Sequence, residues 1–133
     1  MVYYPYMLST EALATYEAAL QNLHEALTVE LSTMGVHNLV TDDWEMRLDD
    51  EAVSEADDNL LGDLGEAAEE RISTLALLET RYRNVVLALK KMPAGTFGIC
   101  ELSGEPIETK RLDADPTART CIAHKEDEYE LPL

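Results

Sequence analysis

The sequence predicts a mainly α protein, in which an antiparallel coiled-coil hairpin of two long helices is followed by a small treble-clef or ribbon-like zinc-finger module. Two observations predict the helices: apolar residues recur every three or four positions along residues 10–34 and again along residues 54–92. A third predicts the module, because two short pairs of candidate metal ligands near the C-terminus are separated by about twenty residues.

The first helix is expected over residues 10–34. Ser9 or Thr10 supplies its N-terminal cap, and Glu11 lies favourably in the first turn. Gly35 is placed to end the helix as the left-handed residue after its last turn. The apolar seam consists of Leu13, Tyr16, Leu20, Leu23, Leu27 and Met34, with Glu30 or Leu31 filling the gap.

The second helix is expected over residues 54–92, and Pro93 with Gly95 is expected to end it. A small helical bundle is the alternative architecture, but the sequence supplies no third long helix. The second seam consists of Leu61, Leu64, Ala68, Ile72, Leu75, Leu78, Tyr82, Val85, Leu89 and Met92.

Residues 36–53 separate the two seams and are expected to form a loop or irregular segment. His37 has no evident partner there, and Trp44 either contacts a partner protein or covers the apolar end of the hairpin. The predicted domains are therefore the helical hairpin at 1–94, the finger module at 95–125 and a charged tail at 126–133. The tail is expected to be frayed.

The charge is distributed unevenly along the chain. The net charge is −17, and residues 1–80 hold 18 acidic and 2 basic side chains. Such a surface repels phosphate backbones, so direct sequence-specific DNA binding is not expected. A partner is expected to offer a basic groove or a metal ion.

Several classes of protein are excluded by composition. The chain has no run of eighteen apolar residues, so no membrane span is expected. The N-terminus has no basic region or small-residue cleavage site, so no signal peptide is expected. Two cysteines and five methionines in an acidic chain indicate a reducing, cytoplasmic setting.

The candidate metal site has the spacing Cys100-x2-Ser103-x17-Cys121-x2-His124. Cys100, Cys121 and His124 are candidate zinc ligands, with water or Ser103 at the fourth position. There are two alternatives. One is a metal-free finger with an apolar core, and the other is a disulfide between Cys100 and Cys121. Three ligands plus water is also the count of a catalytic zinc site. No general base or pocket accompanies it, so an enzyme is not expected. The core of a metal-free finger would be Phe97, Ile107 and Leu112.

The residues around these pairs resemble the DksA/TraR family of bacterial transcription factors. The similarity covers residues 97–124 closely and the preceding hairpin by architecture. In the family all four ligand positions are cysteines at these same gaps, so Ser103 and His124 are departures. The matching residues are Phe97, Gly98, Cys100, Gly104, Ile107, Arg111, Leu112, Pro116, Ala118 and Cys121.

The resemblance implies a non-enzymatic regulator that binds bacterial RNA polymerase and inserts an acidic coiled-coil tip into its secondary channel. The family's tip pattern is Asp-x2-Asp-x-Ala. Asp57 matches its first aspartate, whereas Leu60 and Gly62 occupy the next two positions. Asp58 and Asp63 are neighbouring acidic substitutes at this tip.

A small acidic adaptor that never enters the channel is the alternative function. A group of basic residues near the base of the hairpin either contacts polymerase or a nucleotide effector, or balances nearby acidic residues. The group is Lys90, Lys91, Lys110, Arg111, Arg119 and Lys125.

Overall fold

A computed structural model of the chain describes residues 8–46 and 58–132. Helix α1 (Thr10–Ser32) leads into a two-stranded sheet of β1 (Gly35–His37) and β2 (Trp44–Met46). Helix α2 (Asp58–Ala94), the short helix α3 (Thr109–Ala114) and a 3₁₀ helix (Ile122–Glu130) follow. The mainly α fold class with a small C-terminal module is confirmed.

The chain divides into two compact units. The first contains Met1–Glu25 and Arg83–Leu133, and the second contains Ala26–Tyr82. The predicted boundaries at residues 94 and 125 stay predictions. In the part of the chain that the structure describes, no helix is long and apolar enough to cross a membrane.

Helix α1 begins with a side-chain cap. The hydroxyl of Ser9 accepts a hydrogen bond from the Ala12 backbone N–H at 3.1 Å, which identifies Ser9 as the N-cap residue. The helix ends at Ser32, two residues before the predicted end. The prediction that Gly35 caps the C-terminus is wrong, because Gly35 is the first residue of β1.

Helix α2 ends in a Schellman motif. Gly95 adopts a positive φ of 75°, and the Thr96 N–H donates to the Lys91 carbonyl at 3.0 Å. Pro93 lies inside the last turn, so the helix extends two residues beyond its predicted end. The predicted start at residue 54 lies outside the described residues.

The apolar seams supply most of the helical core. On α1 the seam buries Tyr16, Leu20, Leu27 and Leu31, so Leu31 and not Glu30 fills the gap in the pattern. On α2 the buried residues are Leu75, Leu78, Tyr82, Val85 and Ala88. Two seam residues are exposed, Leu23 at 39% and Ile72 at 53%. Five more are half-buried: Leu13, Met34, Ala68, Leu89 and Met92. The residues that are buried keep the predicted spacing of threes, fours and their sums.

The expectation of a loop or irregular segment over residues 36–53 is wrong for its described residues 36–46, which together with Gly35 form an antiparallel β-hairpin. Gly35 pairs with Met46, and His37 pairs with Trp44. A Cβ atom at position 35 would lie 2.5 Å from the Glu45 carbonyl oxygen. Gly35 therefore lets the two strands approach, and this close contact is why glycine is required at the position.

An aromatic cluster joins this hairpin to α2 within the second unit. The rings of His37 and Trp44 stack at 4.4 Å, and Tyr82 meets both edge-on at 6.1 Å. His37 Nε2 lies 2.6 Å from Asp42 Oδ1, which also accepts from the Tyr82 hydroxyl at 2.8 Å. Trp44 is 5% exposed, so it is a packing residue of this unit. The view of His37 as a residue without a partner is wrong.

Candidate functional site

The first ligand pair of the C-terminal finger lies in a tight turn from Cys100 to Gly104. The Cys100 N–H donates to the Glu105 carbonyl at 2.7 Å, and the Gly104 N–H donates to the Cys100 carbonyl at 2.9 Å. Gly98 and Gly104 adopt positive φ values of 82° and 73°, which side chains disfavour. The glycines on both sides of this turn therefore set its geometry.

The second pair lies at the beginning of the 3₁₀ helix. Cys121 is the residue that precedes the helix, and the His124 N–H donates to the Cys121 carbonyl at 3.0 Å. The carboxylate of Glu108 accepts the Ile122 N–H at 2.9 Å. This hydrogen bond favours the ionised form and lowers the pKa of Glu108.

Both cysteines are free thiols and both are buried. The Ser103 N–H donates to Cys100 Sγ at 3.4 Å, and the Ser103 hydroxyl lies 3.8 Å from Cys121 Sγ. Burial raises the pKa of Cys100. Hydrogen bonds from the Ser103 hydroxyl and from the backbone of Cys121, Ser103 and Leu102 outweigh that effect and lower it to about 7. Ser103 thus contacts both thiols.

The finger brings together few side chains that could bind zinc. Across residues 8–46 and 58–132, no three His, Cys, Asp or Glu side chains are grouped so that they could hold a metal ion. Ser103 stands where a third thiolate would be needed, and an alcohol is not a usual structural zinc ligand. The residues therefore do not fit a structural zinc site. Zinc held by Cys100, Cys121 and His124 stays a prediction.

An ion pair between the buried Arg119 and the partly exposed carboxylate of Glu101 joins the two halves of the finger. Arg119 donates to Glu101 through Nε at 2.6 Å and Nη2 at 2.9 Å, and Lys91 Nζ lies 2.9 Å from the same carboxylate. The hydrogen bond from Arg119 is the main reason that the pKa of Glu101 falls to about 2, while burial opposes the shift and Lys91 adds to it. The carboxylate is therefore ionised at neutral pH.

A second carboxylate anchors the C-terminal segment. Glu128 accepts the backbone N–H groups of Arg119 and Thr120, the latter at 3.1 Å, and also Arg111 Nη2 at 3.2 Å. Arg111 Nε donates to the Thr120 carbonyl at 2.6 Å. The prediction of a frayed tail is wrong for its described residues up to Pro132, because Glu128 lies within this network.

Three members of the basic group thus balance acidic neighbours: Lys91 and Arg119 contact Glu101, and Arg111 contacts Glu128. Neither Glu101 nor Glu128 is predicted from the sequence as a site residue. The available signal was the position of Glu101 directly after one candidate ligand, with Arg119 two residues before another.

The predicted tip residues are placed only in part. Asp57 lies outside the described residues, and Asp58 is the first residue of α2. Asp63 follows in the second turn of the same helix, and the positions of the Asp58 and Asp63 side chains are outside what the structure describes. The tip assignment stays a prediction.

Comparison with known proteins identifies the family. The model of the prokaryotic dksA/traR C4-type zinc finger matches residues 95–129. An uncharacterized protein from Aquifex aeolicus is 30% identical over 109 residues, which cover 81% of this chain and 74% of that protein. The chain belongs to the DksA/TraR family.

Two further comparisons concern proteins whose names state a role. The RNA polymerase-binding transcription factor DksA of Caulobacter vibrioides is 36% identical over 70 residues, covering 48% of this chain and 49% of that protein. The structure of transcription factor DksA2 from Pseudomonas aeruginosa matches with a TM-score of 0.69 and 21% identity. The match covers 94% of this chain and 88% of that one, and it shows a shared fold.

The chain spans less than half the length of several curated relatives that it matches. For three proteins of Bacillus subtilis the covered shares are 29%, 36% and 45% of their lengths. Membership in the DksA/TraR family rests on the match to the finger model and on the Aquifex aeolicus relative, 74% of which is covered.

Proposed function

We propose that this DksA/TraR protein regulates bacterial transcription by binding RNA polymerase in the cytoplasm, without catalysing a reaction itself. The observation that carries the proposal is the 36% identity over 70 residues with a protein named as an RNA polymerase-binding transcription factor. The fold shared with transcription factor DksA2 over 94% of the chain supports it.

The proposed mechanism uses the charge of the helical part. Residues 1–80 carry a net charge of −16, whereas residues 81–133 carry −1. An acidic coiled-coil tip in the secondary channel would act near the polymerase active site, through Asp57, Asp58 and Asp63. Contact with DNA phosphates is not part of the mechanism, because such a surface repels them. A nucleotide effector is a further candidate ligand of the complex.

The second candidate is an acidic adaptor that binds another protein without channel activity. It is favoured by the departure of the tip from the family pattern, in which Leu60 and Gly62 stand at the second and third positions. An adaptor would use the same helices and the same charge. The two functions therefore differ only in whether the tip residues are needed for activity.

A tip variant distinguishes them. Asp57→Asn, Asp58→Asn and Asp63→Asn are combined in one chain, and a matched control combines Glu66→Gln, Glu69→Gln and Glu70→Gln, three exposed carboxylates of α2. The channel mechanism predicts that the tip variant still binds core polymerase but no longer changes the lifetime of promoter complexes. The control is expected to retain both properties.

The adaptor function predicts a different result. In that case the tip variant matches the wild type in every transcription assay. Substitutions in the finger or on α1 would then abolish partner binding instead.

A further inference from the structure

The C-terminal finger raises a question that its family name does not answer. In a C4-type finger a metal ion draws two turns together by binding four thiolates. This chain has only two of those cysteines. Contacts other than four metal–thiolate bonds must therefore hold the turn that begins at Cys100 against the turn that begins at Cys121.

The first contact that takes the place of metal–thiolate bonds is made by Ser103. Its backbone N–H donates to Cys100 Sγ at 3.4 Å, and its hydroxyl lies 3.8 Å from Cys121 Sγ. Cys100 is 1% exposed and Cys121 is 6% exposed. The two buried sulfur atoms therefore contact the same serine, which links them through weak hydrogen bonds.

The second substitute is an ionic clamp between the turns. Glu101 directly follows Cys100, and Arg119 precedes Cys121 by two residues. Their side chains share hydrogen bonds of 2.6 and 2.9 Å, and the Glu101 N–H donates to the Arg119 carbonyl at 2.9 Å. The two turns are thus joined by three hydrogen bonds that need no metal.

The arginine end of the clamp is buried and its donors are paired, whereas the side chain of Glu101 is 28% exposed. Arg119 is 5% exposed, and its Nη2 also donates to the Pro132 carbonyl at 2.7 Å. A buried guanidinium is costly unless its donors are paired, so this geometry strongly favours one arrangement of the turns. Glu128 adds to it by accepting the Arg119 and Thr120 backbone N–H groups.

An apolar layer accompanies the clamp. Phe97 is 8% exposed, Ile107 is 4% exposed and Leu112 is fully buried. The hydroxyl of Tyr16 on α1 donates to Asp113 at 2.7 Å, and its ring packs 5.7 Å from that of Phe97. The finger therefore has a core that extends onto a helix of its own unit, which lessens its dependence on a metal.

We propose that this finger folds and stays folded without a metal ion, because the Glu101–Arg119 clamp, supported by Glu128 and Ser103, joins the two turns that zinc joins in a C4-type finger. The inference concerns the finger alone and does not depend on polymerase binding.

The test uses the full chain, stripped with a chelator at neutral pH and compared with the same chain supplied with zinc chloride. Zinc content is measured by elemental analysis, and hydrogen–deuterium exchange is followed for peptides covering residues 97–124. We expect well under one zinc per chain. We also expect the peptides covering residues 97–124 to be equally protected from exchange in the stripped and the zinc-supplied samples. Stoichiometric zinc that survives purification, or protection that the chelator removes and zinc restores, would overturn the proposal.

Two variants with opposite expectations test the clamp. Glu101→Gln is expected to raise exchange in the stripped finger on the order of a hundredfold, because Arg119 loses its ionised partner while buried. Glu105→Gln, an exposed carboxylate beside the same turn, is the matched control and is expected to change nothing. Unchanged protection in Glu101→Gln would contradict the clamp.

A chain with Ser103→Cys and His124→Cys completes the design, because it restores the four cysteines of the family pattern. This chain is expected to bind one zinc and to lose protection with chelator, unlike the native chain. If the native chain also binds one zinc and loses protection with chelator, as this variant is expected to do, the native finger is a metal site and the proposal is wrong. This comparison decides the question even if Glu101→Gln does not fold.

Discussion

The guanidinium of Arg119 and the carboxylate of Glu101 meet through two hydrogen bonds of 2.6 and 2.9 Å, in a position where Arg119 is 5% exposed. A planar fork that binds two carboxylate oxygens at once cannot be reproduced by an ammonium group. The identity of the residue at position 119 therefore matters beyond its charge.

Arg119→Lys is expected to lower the free energy of unfolding by about 2 kcal/mol, because the lysine keeps the charge but loses the two-point contact and the bond to the Pro132 carbonyl. Urea unfolding followed by circular dichroism measures the change. Arg71→Lys, at an exposed position of α2, is the matched control and is expected to have little effect. Equal stability of the two variants would contradict the role given to Arg119.

Glu128→Ala is expected to destabilise the protein by about 2 kcal/mol, because the buried backbone N–H groups of Arg119 and Thr120 lose their acceptor. Glu126→Ala, two residues earlier and exposed, is expected to be nearly neutral. Thermal unfolding of both variants under one set of conditions measures the difference. A frayed C-terminal segment would make the two substitutions equivalent.

Gly35→Ala is expected to cost about 2 kcal/mol or more, because its Cβ atom would lie 2.5 Å from the Glu45 carbonyl oxygen. Gly65→Ala on α2 is the matched control, since nothing lies within 4 Å of a Cβ atom there. That control is expected to gain about 0.5–1 kcal/mol from its better helix propensity. Denaturant unfolding tests the opposite signs, and a neutral Gly35→Ala would show that the hairpin does not require glycine.

The hairpin of the second unit is expected to loosen at alkaline pH. Burial, together with the hydrogen bond and charge of Asp42, raises the pKa of Tyr82 to about 12, above its ordinary value of 10.0. The folded state favours the neutral phenol. The stability that the neutral Tyr82 side chain contributes to the folded state is therefore complete below pH 10 and is lost as the pH rises towards 12.

The fluorescence of Trp44, the single tryptophan, reports this titration because its ring packs 6.1 Å from Tyr82. Tyr82→Phe is expected to remove the spectral change between pH 10 and 12 and to cost about 1 kcal/mol at neutral pH. Persistence of that change in the variant would assign it to another group.

The sequence predicted the elements that depend on local chemistry. The Ser9 cap and the Gly95 termination lie where the pattern places them, because capping preferences act over a few residues. The periodic seams also predicted most buried positions of α1 and α2. These signals are strong because they repeat over several turns.

The features that the sequence did not predict depend on contacts between distant residues. Strands β1 and β2 have three residues each, too few for an alternating pattern to stand out. Tyr82 reaches Asp42 across 40 positions, and Arg119 reaches Glu101 across 18. A glutamate after a cysteine is usually solvated, so only the fold reveals its buried partner.

Binding of the purified full chain to bacterial RNA polymerase core enzyme, measured with and without a known secondary-channel binder as competitor, tests the proposed function. Saturable binding that the competitor displaces is expected. Binding that the competitor leaves unchanged would contradict the channel mechanism. The absence of binding at about 20 μM, equivalent to a binding free energy weaker than about −6.4 kcal/mol, would contradict the proposed partner itself.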